Sequence, residues 1–190
     1  QERVIPILCT ESEDMPIRVW VVGCSTGQET YSLAILFNEY LEKIGTKKQI
    51  KFFSTDIDRQ SIEYASAGFF PPVIANEISP ARLSRFFIKK PNGYLIHPCI
   101  REQVDFACHN IACDPPFRHI DLISCRNLLI YFSPELQKIA FSNFDFSLKP
   151  SGYLFLGSSE NVDPATMDYT PFIARFKIFK HVNTQYEENF

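Results

Sequence analysis

The sequence predicts an α/β protein built on a mostly parallel sheet, and three observations lead to that prediction. Apolar segments of strand length alternate with amphipathic segments of helix length over most of the chain. The first strand, Arg18–Val22, enters a glycine turn, Gly23–Gly27, directly before a helix. The second strand, Ile50–Ser54, is followed by Asp56 and Asp58. A glycine turn at a helix N-terminus and an acid at the tip of the next strand are typical of sheets that bind a nucleoside cofactor.

The bulk composition is that of an ordinary globular protein and narrows the class of partner. The 190 residues are 45% hydrophobic and 22% charged, and the net charge of −3 argues against a broad nucleic-acid surface. No apolar run approaches the roughly 20 residues of a membrane span, and no signal peptide is visible. We therefore expect a cytoplasmic protein without membrane insertion. Because the first residue is Gln1 rather than Met, we also expect a domain of a longer protein.

The periodicity places the main elements in order along the chain. The first helix is expected over about Thr30–Ile44, where Gly45 stops it, and the second over about Arg59–Ala67. The remaining elements of the main sheet are predicted as strands Val104–Ala107, Ile120–Ser124 and Tyr153–Gly157, a helix from Ser133 to about Leu148, and one or two closing strands within Phe172–Val182.

The segment between the second helix and the third strand interrupts the alternation. Ser79-Pro80 predicts a short helix over Ala81–Phe87, with Ser79 as its N-cap. A Pro-Asn-Gly turn follows, with Tyr94–Ile96 and Ile100–Val104 as candidate antiparallel strands. We interpret this segment as a small β-subdomain inserted into the main sheet.

The cysteines carry no disulfide or zinc pattern. The six show no C-x-x-C spacing, and several lie in apolar strands, so we expect reduced thiols. A metal cluster of Cys108, His109, Cys113 and His119 is the alternative, but its spacing fits no zinc template. We therefore predict no metal.

Polar residues follow four successive predicted strands, where ligands of an open parallel sheet bind. They are Glu29 after the glycine turn, Asp56 after the second strand, Asn110 after the third and Arg126-Asn127 after the fourth, with Tyr131 close behind. The combination predicts a nucleoside pocket.

Each of these residues also has a purely structural interpretation. The glycines could serve a tight turn alone, and Asp56 or Asp58 could cap the following helix, a role that suits Asp58 better. Asn110 and Asn127 could satisfy loop backbone groups, and Tyr131 could belong to the core. Arg82, Arg85 and Lys89 could form either a solvated face or a basic docking face.

The order of the motifs resembles the chemotaxis receptor methyltransferases of CheR type, which use S-adenosylmethionine to methylate glutamate side chains. The resemblance spans about residues 18–160. The D-P-P-F and G-S-S-E segments look most like the version fused to a methylesterase domain and sensor modules. The matching motifs are R-V-W-V-V-G-C-S-T-G-Q-E-T-Y-S-L-A, S-T-D-I-D, I-R-E-Q-V-D-F, I-D-L-I-S-C-R-N-L-L-I-Y-F and L-K-P-S-G-Y-L-F-L-G-S-S-E.

The resemblance implies a Rossmann-like class I methyltransferase sheet and a set of site residues. Glu29 would contact the methionine amino end of the cofactor, Asp56 the ribose, and Tyr131 would lie beside the reactive methyl group as the catalytic residue. The loops around the adenine and the methionine portion would contain Asn110 with Ile111 and Asn127 with Leu128. The full set of expected cofactor-binding residues is Gly23, Ser25, Gly27, Glu29, Asp56, Ile57, Asn110, Ile111, Asn127 and Leu128.

The same resemblance implies the domain layout and the partners. Residues 1–190 would form one catalytic domain with the inserted β-subdomain at about 69–104, which docks a receptor tail peptide in some members. The family's N-terminal helical domain, and the segment whose arginine lies near the methyl group, would precede Gln1. Gln28 stands where the family has an acid. The expected substrate is a chemoreceptor or related signalling protein, S-adenosylhomocysteine is the expected product, and neighbouring domains of a longer chain are further partners.

Two other functions deserve comparison with this one. A nicotinamide-dependent oxidoreductase would show G-x-G-x-x-G and an acid about 20 residues further on, whereas this chain has G-C-S-T-G and a more distant Asp56. A non-catalytic module that binds S-adenosylmethionine and regulates a neighbouring domain remains the alternative to methyl transfer.

Overall fold

The computed structural model describes residues 3–10, 15–162 and 168–182. The helices are α1 (Val4–Thr10), α2 (Gln28–Ile44), α3 (Arg59–Ala67), α4 (Pro80–Phe86), α5 (Pro98–Arg101) and α6 (Pro134–Ser147). The strands are β1 (Ile17–Val22), β2 (Ile50–Asp56), β3 (Phe69–Phe70), β4 (Phe87–Lys90), β5 (Gly93–Ile96), β6 (Val104–Cys108), β7 (Ile120–Cys125), β8 (Leu148–Leu156), β9 (Tyr169–Ile173) and β10 (Ile178–His181). Short 3₁₀ helices cover Pro72–Asn76, Leu129–Tyr131 and Ala174–Phe176.

The main sheet has seven strands in the order β6-β2-β1-β7-β8-β10-β9. The five strands from β6 to β8 are parallel, and β10 runs antiparallel to both of its neighbours. The predicted mostly parallel α/β sheet is therefore confirmed. Its strand order reverses between β1 and β7, so the carboxyl ends of these strands flank the crevice where such sheets bind ligands.

Local sequence explains the helix ends next to this crevice. Gly27 and Gly45 bound α2 with φ angles of 88° and 68°, a left-handed conformation that glycine adopts without a Cβ clash. The helix begins at Gln28, two residues before the predicted start. Asp58 caps α3 by accepting hydrogen bonds from the backbone N–H groups of Gln60 and Ser61, as its cap interpretation predicted.

The sheet has a separate hydrophobic core on each face. One core packs α1, α2, α3 and the inserted segment against residues such as Val19, Val21 and Phe52. The other packs α6 against the opposite face, where Trp20, Ile123 and Phe144 are fully buried. Within the described ranges no helix is long and apolar enough to cross a membrane.

The inserted segment forms a three-stranded antiparallel sheet in the order β3-β5-β4. The prediction of a strand over Ile100–Val104 is wrong, because Pro98 starts the short helix α5 and the His97 side chain caps it. The partners of β5 are instead β3 and β4. The insertion is tied to α2, since Arg82 pairs with Glu39 at 2.7 Å and Arg85 pairs with Glu42. These two arginines are thus used within the chain rather than forming a free basic face.

The fifth strand of the main sheet is longer than the predicted Tyr153–Gly157. It begins at Leu148, and its register against β7 shifts between Ile120 and Leu122. The Pro-Ser-Gly segment that predicts a turn lies inside this irregularity, with Ser151 at φ 66°. Of the one or two closing strands predicted within Phe172–Val182, β10 lies inside that range, whereas β9 begins three residues earlier, at Tyr169.

Candidate functional site

The candidate site lies along the carboxyl edge of the four adjacent strands β6, β2, β1 and β7. Asn110 follows β6, Asp56 ends β2, the glycine turn follows β1, and Asn127 follows β7. The sheet order brings together residues that are far apart in the sequence. This is the arrangement that the strand-end pattern predicts.

The glycine turn is built from residues with left-handed backbone conformations. Gly23, Ser25 and Gly27 have φ angles of 66°, 48° and 88°. A Cβ at Gly23 would lie 2.9 Å from Leu128 Cδ2, so the glycine lets the loop after β7 approach closely. No side chain caps the first turn of α2, which leaves backbone N–H groups at the edge for a ligand.

The Asp56 carboxylate spans the end of β2 and the glycine turn. Its Oδ2 accepts a hydrogen bond from Ser25 N–H at 2.8 Å, and its Oδ1 accepts one from Asp58 N–H at 3.0 Å. Asp56 is half-buried, and the next residue, Ile57, is 71% exposed. The carboxylate therefore holds the turn while keeping acceptor capacity at the edge.

Glu29 lies at the start of α2 and contacts β7. Ser124 donates its hydroxyl to Glu29 Oε1 at 2.6 Å, and Arg126 Nη1 pairs with Glu29 Oε2 at 3.0 Å. The Arg126 guanidinium also lies 4.8 Å from the ring centroid of Phe155. Its buried Nε has no hydrogen-bond partner in the structure. The result is a fixed acid beside a cation at the junction of β1 and β7.

Asn110 and Ile111 form a tight turn after β6. The Asn110 side chain accepts from Ala112 N–H at 3.0 Å, so it satisfies loop backbone as its structural interpretation predicted. The Ile111 side chain is buried in the core, and its carbonyl accepts from Asn143 of α6 at 2.8 Å. The turn lies beside Asp56, because His109, the residue before Asn110, donates its backbone N–H to Asp56 O at 2.9 Å.

The loop after β7 depends on Glu160, a residue for which the sequence pattern predicts no role. Glu160, only 4% exposed, accepts hydrogen bonds from the backbone N–H groups of Asn127, Leu128 and Leu129. Asn127 has a φ of 59°. The available signal was an acid shortly after the end of β8, at the same edge of the sheet as the other site residues. Its burial and its backbone partners, which also include Gly157 N–H, could not be inferred from that position alone.

Tyr131 ends the 3₁₀ helix that follows this loop. Its side chain is 79% exposed, so the interpretation of Tyr131 as a core residue is wrong. Its backbone N–H donates a hydrogen bond to Leu128 O at 3.1 Å, and this bond fixes the position of the Tyr131 backbone. An exposed aromatic hydroxyl at a ligand-binding edge is available for contact with a bound molecule.

The two buried cysteines at the edge, Cys24 and Cys125, are poor nucleophiles. Burial raises the pKa of the Cys24 thiol to about 12, with Asp56 adding to the effect. Burial also raises the pKa of Cys125 well above its ordinary value, and Glu160 and Glu29 add to that rise. Both thiols are therefore protonated at neutral pH, and thiolate chemistry is not available from them. In the part of the chain that the structure describes, no group of His, Cys, Asp and Glu could hold a metal ion.

Fold and site together define a class of protein. The seven-stranded order with β10 antiparallel, the glycine turn after β1 and the acid ending β2 are those of a nucleoside-binding methyltransferase domain of class I. The residues fit S-adenosylmethionine chemically. The glycine turn leaves room for close backbone approach, Asp56 offers acceptors for hydroxyls, and Glu29 offers an anion for an ammonium group.

The family follows from comparison with known proteins. The family model described as CheR methyltransferase, SAM binding domain, matches residues 1–176, and the chain belongs to this family. The match confirms the resemblance, the class I fold and S-adenosylmethionine as the predicted cofactor.

Individual relatives extend the comparison. The chain is 35% identical to chemotaxis protein methyltransferase 1 of Pseudomonas aeruginosa, over 84% of this chain and 60% of that protein. It is 34% identical to the chemotaxis protein methyltransferase of Listeria innocua, over 85% of this chain and 60% of that protein. It is 41% identical to an uncharacterized 104.1 kDa protein of Rhodobacter capsulatus, over 94% of this chain and 19% of that protein. The chain thus spans about 60% of the length of the two chemotaxis methyltransferases.

Proposed function

We propose that this chain is the catalytic domain of a protein-glutamate O-methyltransferase. It transfers a methyl group from S-adenosylmethionine to glutamate side chains of a chemoreceptor or related signalling protein. The observation that carries the proposal is the carboxyl edge, where Glu29 and Asp56 flank the glycine turn in a chain of the CheR family. The names of the P. aeruginosa and L. innocua relatives support the reaction and the substrate.

The proposed cofactor contacts follow from the chemistry of the edge. Asp56 accepts hydrogen bonds from the ribose hydroxyls, with Ile57 beside the nucleoside. The α-amino group of the methionine end pairs with Glu29, and the backbone of Gly23, Ser25 and Gly27 faces the same end. The adenine and methionine portions lie against the two loops that contain Asn110 with Ile111 and Asn127 with Leu128.

Methyl transfer to a carboxylate requires little acid–base catalysis from the protein. Bound S-adenosylmethionine supplies an electrophilic methyl group on a sulfonium. The acceptor glutamate is ionised at neutral pH, so no general base is needed. The chain's contribution is to align the acceptor oxygen and to exclude water, and proximity of that kind can lower a barrier by about 7–11 kcal/mol. We assign Tyr131 to this task as the residue beside the reacting groups, because its side chain is exposed and its backbone is bonded to the loop after β7.

We further propose that residues 1–190 act as one domain with its β-subdomain at about 69–104, within a longer cytoplasmic protein. The 104.1 kDa mass of the R. capsulatus relative supports neighbouring domains. By analogy with the family, we also propose a helical domain upstream, with an arginine near the methyl group.

A methyl-transfer assay tests the function. The full-length protein is incubated with S-adenosylmethionine carrying a labelled methyl group and with chemoreceptor-containing membranes, and alkali-labile label is counted as carboxyl methyl ester. We expect label in the receptor, and none when its methylated glutamates are replaced by glutamine. Binding of S-adenosylhomocysteine without any transfer would contradict the proposal and favour the non-catalytic regulatory module.

A further inference from the structure

The most completely satisfied polar group at the edge is the buried carboxylate of Glu160. Its Oε1 accepts hydrogen bonds from Leu128 N–H at 2.8 Å and Leu129 N–H at 2.7 Å. Its Oε2 accepts from Asn127 N–H at 3.0 Å and Gly157 N–H at 2.7 Å. All four partners are backbone groups, so the carboxylate fixes main chain rather than another side chain. It joins the end of β8 to three consecutive residues after β7.

The carboxylate packs closely against Gly157. A Cβ added at Gly157 would lie 2.7 Å from Glu160 Oε2 and 2.8 Å from Asn127 N, so only glycine fits beside the hydrogen bonds. Asn127 holds a left-handed φ of 59°, which is uncommon for a residue other than glycine. The cluster of hydrogen bonds keeps the loop in that conformation.

The carbonyl groups of the same loop are held from the opposite side by α6. Gln137 Nε2 donates to Leu129 O at 2.9 Å and to Phe132 O at 3.3 Å. The N–H groups of the loop therefore bond to Glu160, and its carbonyl groups bond to Gln137. Tyr131 lies between these two attachments, and its N–H donates to Leu128 O.

We propose that Glu160 is a positioning residue that sets the cofactor affinity and the reactive geometry of the site by fixing Asn127, Leu128 and Tyr131. The inference rests on the proposed function, in which Asn127 and Leu128 face the cofactor and Tyr131 faces the reacting groups. Glu160 acts through the backbone of these residues and does not itself touch the cofactor.

The chemistry requires a carboxylate rather than an amide. Four N–H donors converge on two oxygens, each of which accepts two hydrogen bonds. A glutamine has one acceptor oxygen and places an NH₂ group against two of the four donors. A buried N–H donor without an acceptor is energetically costly. We therefore expect the loop to move away from the glutamine side chain in this variant.

Calorimetric titration with S-adenosylhomocysteine tests the proposal, using the full chain, the variant Glu160→Gln and a matched control. The control is Asp121→Asn. Like Glu160, Asp121 is a carboxylate that connects neighbouring strands, because it accepts hydrogen bonds from Arg18 N–H of β1 at 2.8 Å and from Lys149 Nζ of β8 at 2.6 Å. Unlike Glu160, it lies at the amino end of β7, away from the carboxyl edge. We expect Glu160→Gln to raise the dissociation constant at least tenfold. Asp121→Asn should lower the melting temperature and change the dissociation constant less than threefold.

Equal affinity of Glu160→Gln and the unsubstituted chain would overturn the proposal, as would an equal loss of affinity in Asp121→Asn. If Glu160→Gln does not fold, hydrogen exchange in the unsubstituted chain decides. The amide hydrogens of Leu128 and Leu129 should then exchange with solvent as slowly as those of β7. Exchange as fast as in an unprotected loop would overturn the proposed role of Glu160. Failure of the unsubstituted chain to bind S-adenosylhomocysteine would contradict the proposed function instead, and the same exchange measurement still tests Glu160.

Discussion

The two halves of the carboxyl edge are organised in different ways. In the half formed by β1 and β2, left-handed glycines shape the turn and the half-buried Asp56 accepts from Ser25 N–H. In the half formed by β7 and β8, the buried Glu160 accepts three backbone hydrogen bonds from the loop after β7 and a fourth from Gly157 N–H. In the proposed site, the first half combines ligand contact and support in one residue, whereas the second separates the supporting residue from those proposed to face the ligand.

This difference leads to different consequences of mutation. A substitution at Asp56 removes an acceptor that the ligand itself would use, so it should reduce ligand affinity more than the stability of the fold. A change beside Glu160 disturbs a buried hydrogen-bond cluster, so folding and affinity suffer together.

The largest expected effect is on cofactor binding in the β1–β2 half. Asp56→Ala removes the carboxylate proposed to accept from the ribose hydroxyls, and hydrogen bonds to charged groups contribute about 1.5–3 kcal/mol. We expect the dissociation constant for S-adenosylhomocysteine to rise about 10- to 100-fold in calorimetric titration. Asp58→Asn, which keeps the cap of α3, is the control and should bind normally. Unchanged affinity in Asp56→Ala would remove Asp56 from the cofactor site.

In the β7–β8 half, Gly157→Ala should reduce stability and affinity together. The added methyl group overlaps Glu160 Oε2 and Asn127 N, and overpacking of this kind costs about 1–3 kcal/mol. Denaturant unfolding gives the stability, and titration gives the affinity. The control is Gly45→Ala, where φ is 68° but no atom lies within 4 Å of the new Cβ. That variant should lose about 1–2 kcal/mol of stability from backbone strain alone and keep its affinity. If Gly45→Ala lost affinity as Gly157→Ala does, the loss could not be assigned to the hydrogen bonds around Glu160.

Tyr131→Phe should leave the fold and the cofactor affinity nearly unchanged while lowering the rate of transfer. The side chain is 79% exposed, and surface substitutions usually change the free energy of unfolding by less than about 0.5 kcal/mol. Thermal unfolding, titration and the transfer assay give the three values. Loss of the fold in this variant, or full transfer activity, would count against the positioning role of Tyr131.

The smallest effect concerns the pH dependence of stability at the Asp58 cap. The hydrogen bond from the Ser61 hydroxyl, with those from the Ser61 and Gln60 N–H groups, lowers the pKa of Asp58 below its ordinary value. A lowered pKa in the folded state contributes stability above the unfolded pKa of about 4, and that stability is lost as the pH falls through the folded pKa. Asp58→Asn caps at any pH, so its melting temperature relative to the unsubstituted chain should rise on acidification below pH of about 4. A constant difference would show that the cap does not titrate.

The parts of the molecule that the sequence predicts are those set by short stretches of chain. The strand–glycine–helix unit at Gly23–Gly27, the cap at Asp58 and the alternation of strands and helices each depend on neighbouring residues. The parallel sheet order follows from that alternation together with the resemblance to a known family. Asn127 and Tyr131 could be placed at the edge because each follows a predictable strand.

The features that the sequence did not predict depend on longer-range contacts. One such feature is the pairing of β5, whose partners are β3 and β4 rather than the strand expected over Ile100–Val104, where the short helix α5 lies instead. The acid at Glu160 has no local pattern that reveals burial, because its partners lie about 30 residues earlier, at Asn127, Leu128 and Leu129. Its function emerges only when β7 and β8 lie side by side.

The most direct test of a cofactor site shared by these two halves is a crystal structure of the protein with S-adenosylhomocysteine. We predict the ribose hydroxyls within hydrogen-bond distance of Asp56, the α-amino group beside Glu29, and Asn127 and Leu128 in contact with the ligand while bonded to Glu160. Ligand bound away from the glycine turn, or a loop at Asn127 detached from Glu160 in the complex, would contradict the account.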